Sequence, residues 1–154
     1  MAAEPVRQQK KTEPADVFRF PEELIVRETV PGQEITKELE EIMQSTVKFE
    51  VNFFNDYGHT VLGTSAFLGS LRCCQVLVHL GAEVGKQDVD GWTALHYALA
   101  KGYLDIARYL ILNGGDLFTI NNDGDTALDF IGDRQLKEAL ICYQQKCLSS
   151  HAEL

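Results

Sequence analysis

Long apolar runs are missing from this chain, and positive charge is scarce. No hydrophobic stretch approaches the roughly 20 residues that cross a bilayer as a helix, so no membrane partner is expected. Lys and Arg number 14 against 23 Asp and Glu, a formal net charge of −9. So acidic a surface repels phosphate backbones and anionic lipid, which sets nucleic acid aside as a direct partner. Cysteine is sparse as well. The 4 present, Cys73, Cys74, Cys142 and Cys147, lie in helix-like stretches without the spacing of a zinc site or a small disulfide scaffold. Free thiols are the expectation. The start, Met1-Ala2-Ala3-Glu4-Pro5, lacks the apolar core of a secretory signal, which leads to an expected cytoplasmic location with a nuclear share. What is present is an ordinary globular balance: 154 residues, 45% of them apolar and 24% charged. That length suffices for one core.

The informative feature is a repeat. Asp90-Gly91-Trp92-Thr93-Ala94-Leu95-His96 is echoed by Asp123-Gly124-Asp125-Thr126-Ala127-Leu128-Asp129 and by Tyr57-Gly58-His59-Thr60-Val61-Leu62-Gly63, in steps of 33 residues. Gly69 with Gly102, Leu71 with Leu104, Leu77 with Leu110 and Gly81 with Gly114 keep the same period. A fixed period of this length marks stacked supersecondary units, each burying its apolar face only against the next. In the middle copy Gly91 permits the tight turn and Thr93 sits where a helix N-cap is needed. Leu95, Ala98 and Leu99 stripe a short first helix, which Gly102 ends. Leu104, Ile106, Ala107, Leu110 and Ile111 stripe a second helix, which Gly114 ends.

These residues resemble an ankyrin repeat, over about Glu50 to Cys142. The resemblance implies an all-α solenoid of stacked helix-turn-helix units, joined by short β-hairpin-like turns that project as fingers beside a concave face of first helices. The expected organisation is a tail over 1–21, a degenerate N-terminal capping repeat over 22–54, repeats with a shortened C-terminal cap over 55–148, and a frayed end over 149–154. Ile35 to Met43 is expected as the second helix of the N-terminal cap. The tail has no periodic apolar signal, so disorder is its default reading. Asp16-Val17-Phe18-Arg19-Phe20-Pro21 is the exception, with two readings. Phe18 and Phe20 either dock on the first helix and cap the core, or form a linear strand that adds to a partner's sheet edge.

Parts for catalysis are missing. His59, His79, His96 and His151 are scattered, and His-Glu-x-x-His, Gly-x-Ser-x-Gly and phosphate-loop patterns are absent. Asn122-Asp123-Gly124-Asp125 resembles a calcium loop but lacks its closing Glu. His96 is expected to tie neighbouring turns together. The chain is therefore read as a non-enzyme without cofactor or metal, a monomer that binds protein. Its expected partner-binding set is Phe18, Arg19 and Phe20 from the tail, Asp56, Tyr57, His59, Asp88, Asp90, Trp92, Asp123 and Asp125 from the fingers, and Lys101 at the end of the middle repeat's first helix. The finger aspartates are read as an acidic ridge with aromatic relief, favouring a basic partner segment, or else as residues that merely assist turns.

Gly102-Tyr103-Leu104-Asp105-Ile106-Ala107-Arg108-Tyr109-Leu110-Ile111 and Asn121-Asn122-Asp123-Gly124-Asp125 are similar to stretches in ankyrin proteins that serve as regulatory subunits of protein phosphatase 1, the myosin-phosphatase-targeting type among them. That resemblance implies a phosphatase catalytic subunit as partner. Its docking motif runs basic, optional residue, Val or Ile, any residue, Phe or Trp. Here Phe18 stands where Val is expected, and Asp16 and Val17 where the basic residue belongs. Val47-Lys48-Phe49 keeps the Val-to-Phe spacing without a preceding basic residue. Glu50-Val51-Asn52-Phe53-Phe54 followed by Gly91-Trp92-Thr93-Ala94-Leu95-His96 also resembles the small Notch-regulated ankyrin family, which implies the alternative of a nuclear transcription-factor complex.

Overall fold

The computed structural model describes residues 18–32 and 35–152. The tail from Met1 to Val17 lies outside them, as do residues 153 and 154. Elements follow in the order β1 (Phe18–Arg19), α1 (Glu23–Thr29), α2 (Thr36–Gln44), β2 (Phe49–Glu50), α3 (Val61–Leu68), α4 (Leu71–His79), α5 (Ala94–Lys101), α6 (Leu104–Leu112), a 3-10 helix (Ala127–Phe130) and α7 (Arg134–Ala152).

The middle unit shows how the sequence builds a hairpin. Thr93 is extended and its hydroxyl accepts the amide of His96, opening α5, while Gly102 closes it in the left-handed region at φ 78°. Thr60 and Ser70 cap α3 and α4 in the same way. Such caps contribute about 1 kcal/mol each. Ala98 and Ala107 are fully buried, so their small side chains let α5 and α6 approach closely.

Units stack in two rows. First helices pack in the order α1, α3, α5 and the 3-10 helix, and second helices in the order α2, α4, α6 and α7. The core runs between the rows through Ile25, Leu39, Leu77, Leu95, Ile106, Leu110 and Leu117. This is the expected all-α solenoid. In the last unit the chain from the capping threonine to the second helix is three residues shorter than in the middle one, Thr126 to Arg134 against Thr93 to Leu104. A 3-10 turn rises about 2 Å per residue and spans the same layer with less chain. Its end also differs from expectation, since α7 continues through Ser149 and Ser150 to Ala152.

At the other end, α1 and α2 form a helical hairpin joined by a two-pronged Arg27–Glu38 pair at 2.8 and 3.1 Å. Both side chains are about two-fifths exposed, so the pair contributes at most about 1 kcal/mol. The hairpin is also the crossover that a parallel strand pair requires. Phe18 pairs with Phe49 and Arg19 with Glu50, and the Phe20 amide donates to the Glu50 carbonyl at 3.1 Å. Phe20 is 2% exposed. Of the two readings for this segment, Phe20 takes the core-capping one. That corrects its place among the partner-binding residues, because a side chain sealed into the core offers a partner no surface. Phe18, 53% exposed, and Arg19 stay accessible.

Candidate functional site: the fingers and the first-helix face

Each finger is built from the same bonds. Asn55, Asp88 and Asn121 donate their amides to the carbonyls of His59, Trp92 and Asp125, each at 2.9 Å. Gly58, Gly91 and Gly124 donate their amides back to the carbonyls of Asn55, Asp88 and Asn121 at 2.9 to 3.1 Å, with φ between 78° and 86°. The side-chain oxygen of the leading residue then accepts two further amides: Tyr57 and His59 on Asn55, Asp90 and Trp92 on Asp88, Asp123 and Asp125 on Asn121, at 2.9 or 3.0 Å. These hairpins are closed by a side chain that mimics backbone.

This geometry sorts the expected ridge. Asp88 is 6% exposed and spent on the turn, so it is corrected from partner-binding residue to structural acceptor. Asp56, Asp90 and Asp123 are exposed, and Asp125 is half-buried. Only Asp90 and Asp123 share a register; Tyr57, 81% exposed, is their counterpart in the first finger. The ridge is thus two aligned acids with a tyrosine, and Asp56 beside it.

Backbone bonds join the fingers to one another. The Val89 amide donates to the Gly58 carbonyl at 3.2 Å and the Asn122 amide to the Asp90 carbonyl at 3.0 Å. His96, fully buried, adds a tie below them. Its Nδ1 lies 3.2 Å from the Thr93 amide, which is a donor only, so Nδ1 accepts and the proton sits on Nε2. Nε2 then donates to the Asp125 carbonyl at 3.2 Å. The histidine spans two units, as its sequence position implied.

Behind the fingers lies an aromatic surface. The Trp92 ring centroid is 4.9 Å from Tyr97 and 4.8 Å from Phe130. Tyr97 meets His59 and Phe67 edge-on at 6.1 and 6.0 Å. The Tyr97 hydroxyl donates a short hydrogen bond to the second carboxylate oxygen of Asp88. Burial first, then that bond and the charges of Asp88 and Asp90, push the phenol well above its ordinary pKa. Lys101 stands 4.7 Å over the Phe67 ring. Trp92 is half-buried, and exposed Lys101 sits at the far rim of the same surface.

Tyr97, Phe67 and Phe130 were not among the residues picked from the sequence. A signal existed: Thr64, Tyr97 and Phe130 occupy one register 33 residues apart, and two of the three are aromatic. Among the described residues, no group of three or more His, Cys, Asp or Glu is placed to hold a metal, and no helix is long and apolar enough to cross a membrane.

Helical hairpins stacked in two rows, with bonded fingers at one edge, define a repeat-built scaffold. The pattern of ankyrin repeats (many copies) matches residues 64–111. The chain belongs to the ankyrin-repeat family. It is 40% identical to mouse protein phosphatase 1 regulatory subunit 27 over 84 residues, 54% of each chain. It is 38% identical to the human protein of that name over 99 residues, 64% of each. With the Notch-regulated ankyrin repeat-containing protein of Xenopus tropicalis it shares 41% identity over 78 residues, 49% of this chain and 68% of that one. The match spans less than two thirds of the phosphatase-subunit relatives.

Proposed function

We propose that this protein is a non-catalytic adaptor, a regulatory or targeting subunit of the protein phosphatase 1 catalytic subunit, working in the cytoplasm and nucleus as a monomer. Two relatives carry the name of a phosphatase 1 regulatory subunit. The structural observation that carries the reading is β1. Phe18 and Arg19 are exposed, lie directly ahead of the repeats and are held in strand form by Phe49 and Glu50 on one side. A short strand with an exposed edge is suited to accept a partner's sheet, its backbone supplying the pairing and Phe18 the side-chain contact. Ankyrin units supply the rest of a protein-binding surface in the finger face. The Notch-regulated reading, as a modulator of a nuclear transcription-factor complex, remains the second choice. It is favoured by the identity over 68% of that relative's length.

Retention of purified phosphatase 1 catalytic subunit by the immobilised full chain tests the first reading. Phe20→Ala would confound binding with folding, because Phe20 is core. Phe18→Ala leaves the core intact and is expected to reduce retention severalfold while the circular dichroism spectrum is unchanged. Wild-type protein that fails to retain the phosphatase sinks this reading and turns attention to the Notch-linked one.

A further inference from the structure

A groove of about 390 Å³ runs between α1 and α2, floored by Pro21, Leu24, Ile42 and Phe49. Exposed Glu23 and Glu41 stand on its rim, and neither makes an ion pair among the described residues. Arg27 and Glu38 also line it and bond to each other, so the lining carries three carboxylates against one guanidinium. Two other grooves differ in charge. That on α7 presents Arg108 and Lys146, and that beside the first finger sets Arg19 against Glu22 and Asp56.

A segment of opposite charge stands close by in the sequence. Pro5-Val6-Arg7-Gln8-Gln9-Lys10-Lys11-Thr12, between Glu4 and Glu13, holds three cations and no acid. It leads into β1, whose Phe18 pairs with Phe49 of the groove floor, and paired strands lie about 4.8 Å apart. The chain therefore enters the fold at the edge of the groove. Lys11 stands seven residues ahead of Phe18, which gives it a reach of up to about 24 Å.

We propose that this groove is the seat of the chain's own segment from Pro5 to Thr12, with its cations paired to Glu23 and Glu41 and Val6 on the apolar floor. The inference goes beyond the adaptor reading and does not depend on it. Exposed ion pairs contribute little each. A tether this short nevertheless holds the segment at an effective concentration in the millimolar range, so weak contacts suffice. A free basic segment of equal affinity, at far lower concentration, competes poorly. Once seated, the segment covers apolar surface that the end unit has no further repeat to bury. The cover is reversible and salt-sensitive, because its charges are open to screening.

A nitroxide on Gln9→Cys in the full chain reads the position of the segment through broadening of amide NMR signals. Cys142→Ser removes the exposed thiol, and Cys73, Cys74 and Cys147 are buried. Broadening is expected at Leu24, Glu41, Ile42 and Ser45 and not in α5 or α6. Glu23→Gln with Glu41→Gln should lower the seated-to-free ratio about fivefold, with the α5 and α6 signals unmoved. Lys10→Gln with Lys11→Gln, which leaves the helices untouched, should act alike, as should about 0.5 M salt. A spin-labelled chain mixed with an isotope-labelled, spin-free one separates the occupants. Broadening in that mixture means that a second copy fills the groove, which overturns the proposal. So does the absence of broadening, its appearance around Asp56 and Tyr57 or evenly over the surface, or indifference to both pairs of substitutions. Phosphatase retention is a separate readout, so each reading can fail alone.

Discussion

One residue position governs the fingers. Asn55, Asp88 and Asn121 do the same backbone work, and only the middle one carries a charge. The difference follows from its neighbour. Tyr97 presents a phenol to the finger where the other units have Thr64, whose hydroxyl donates to the Thr60 carbonyl, and Phe130, and a carboxylate has a spare oxygen for it. Tyr97→Phe strands that oxygen and is expected to cost about 1–2 kcal/mol at neutral pH, read by urea denaturation. The pH response has a definite sign. Folding raises the Tyr97 pKa, so its contribution is complete below the ordinary tyrosine value and fades as pH climbs through the raised one. Burial pushes Cys73 up to about 11, and Cys74 higher, so these thiols act in the same direction. Stability should decline above about pH 9, in a titration of unfolding midpoints, and the decline should be shallower in Tyr97→Phe. An equally steep decline would show that Tyr97 is not the group responsible.

At the scale of elements, glycines of one register are not equivalent. Gly91 and Gly124 both hold positive φ, at 79° and 86°. A β-carbon at Gly124 meets open space, whereas one at Gly91 falls 2.7 Å from the Asn122 amide nitrogen, in the backbone of the next finger. Gly124→Ala is expected to cost about 1 kcal/mol, the left-handed strain alone. Gly91→Ala should cost clearly more, since it must also push neighbouring fingers apart. Thermal or urea unfolding of both variants checks the order, and a reversal would mean that the finger ties contribute little. The same elements show how legible the chain was. Caps, helix ends and turns could be read because each depends on one residue type at one spacing, as with Thr93, Gly102 and Gly91. The 3-10 helix of the last unit was seen only as a shortening, because its conformation answers a count of residues between two packed layers. The first part of the N-terminal capping repeat, degenerate in sequence, supplies α1, whose formation rests on burying Leu24 and Ile25 against the stack and not on a consensus.

Taken whole, the molecule is a stack whose first layer is closed by a strand from its own start. Phe20 fills that layer, and the two-residue parallel pair holds it there. Phe20→Ala is expected to destabilise by about 3–5 kcal/mol. The loss should be local first: hydrogen exchange should quicken in α1, α2 and β2 before it does in α5 and α6. Uniform quickening would instead make the stack one cooperative unit. The candidate site was half legible. Trp92, Tyr57 and the exposed acids could be named from the repeat, but burial separates Asp88 and Phe20 from them, and burial depends on partners distant in the chain. Tyr97 and Phe130 stayed hidden because their value lies in a contact with Trp92 that only stacking creates. The bonds from finger to finger run through main-chain groups, Val89 to Gly58 and Asn122 to Asp90, and through the side chains of Gln87, His96 and Asn122. Tip side chains such as Tyr57, Asp90 and Asp123 are thereby released from any duty in alignment. On the proposed finger interface, substitution at those tips would redirect what the protein grips while the scaffold stays in register, so recognition and architecture would be free to evolve separately.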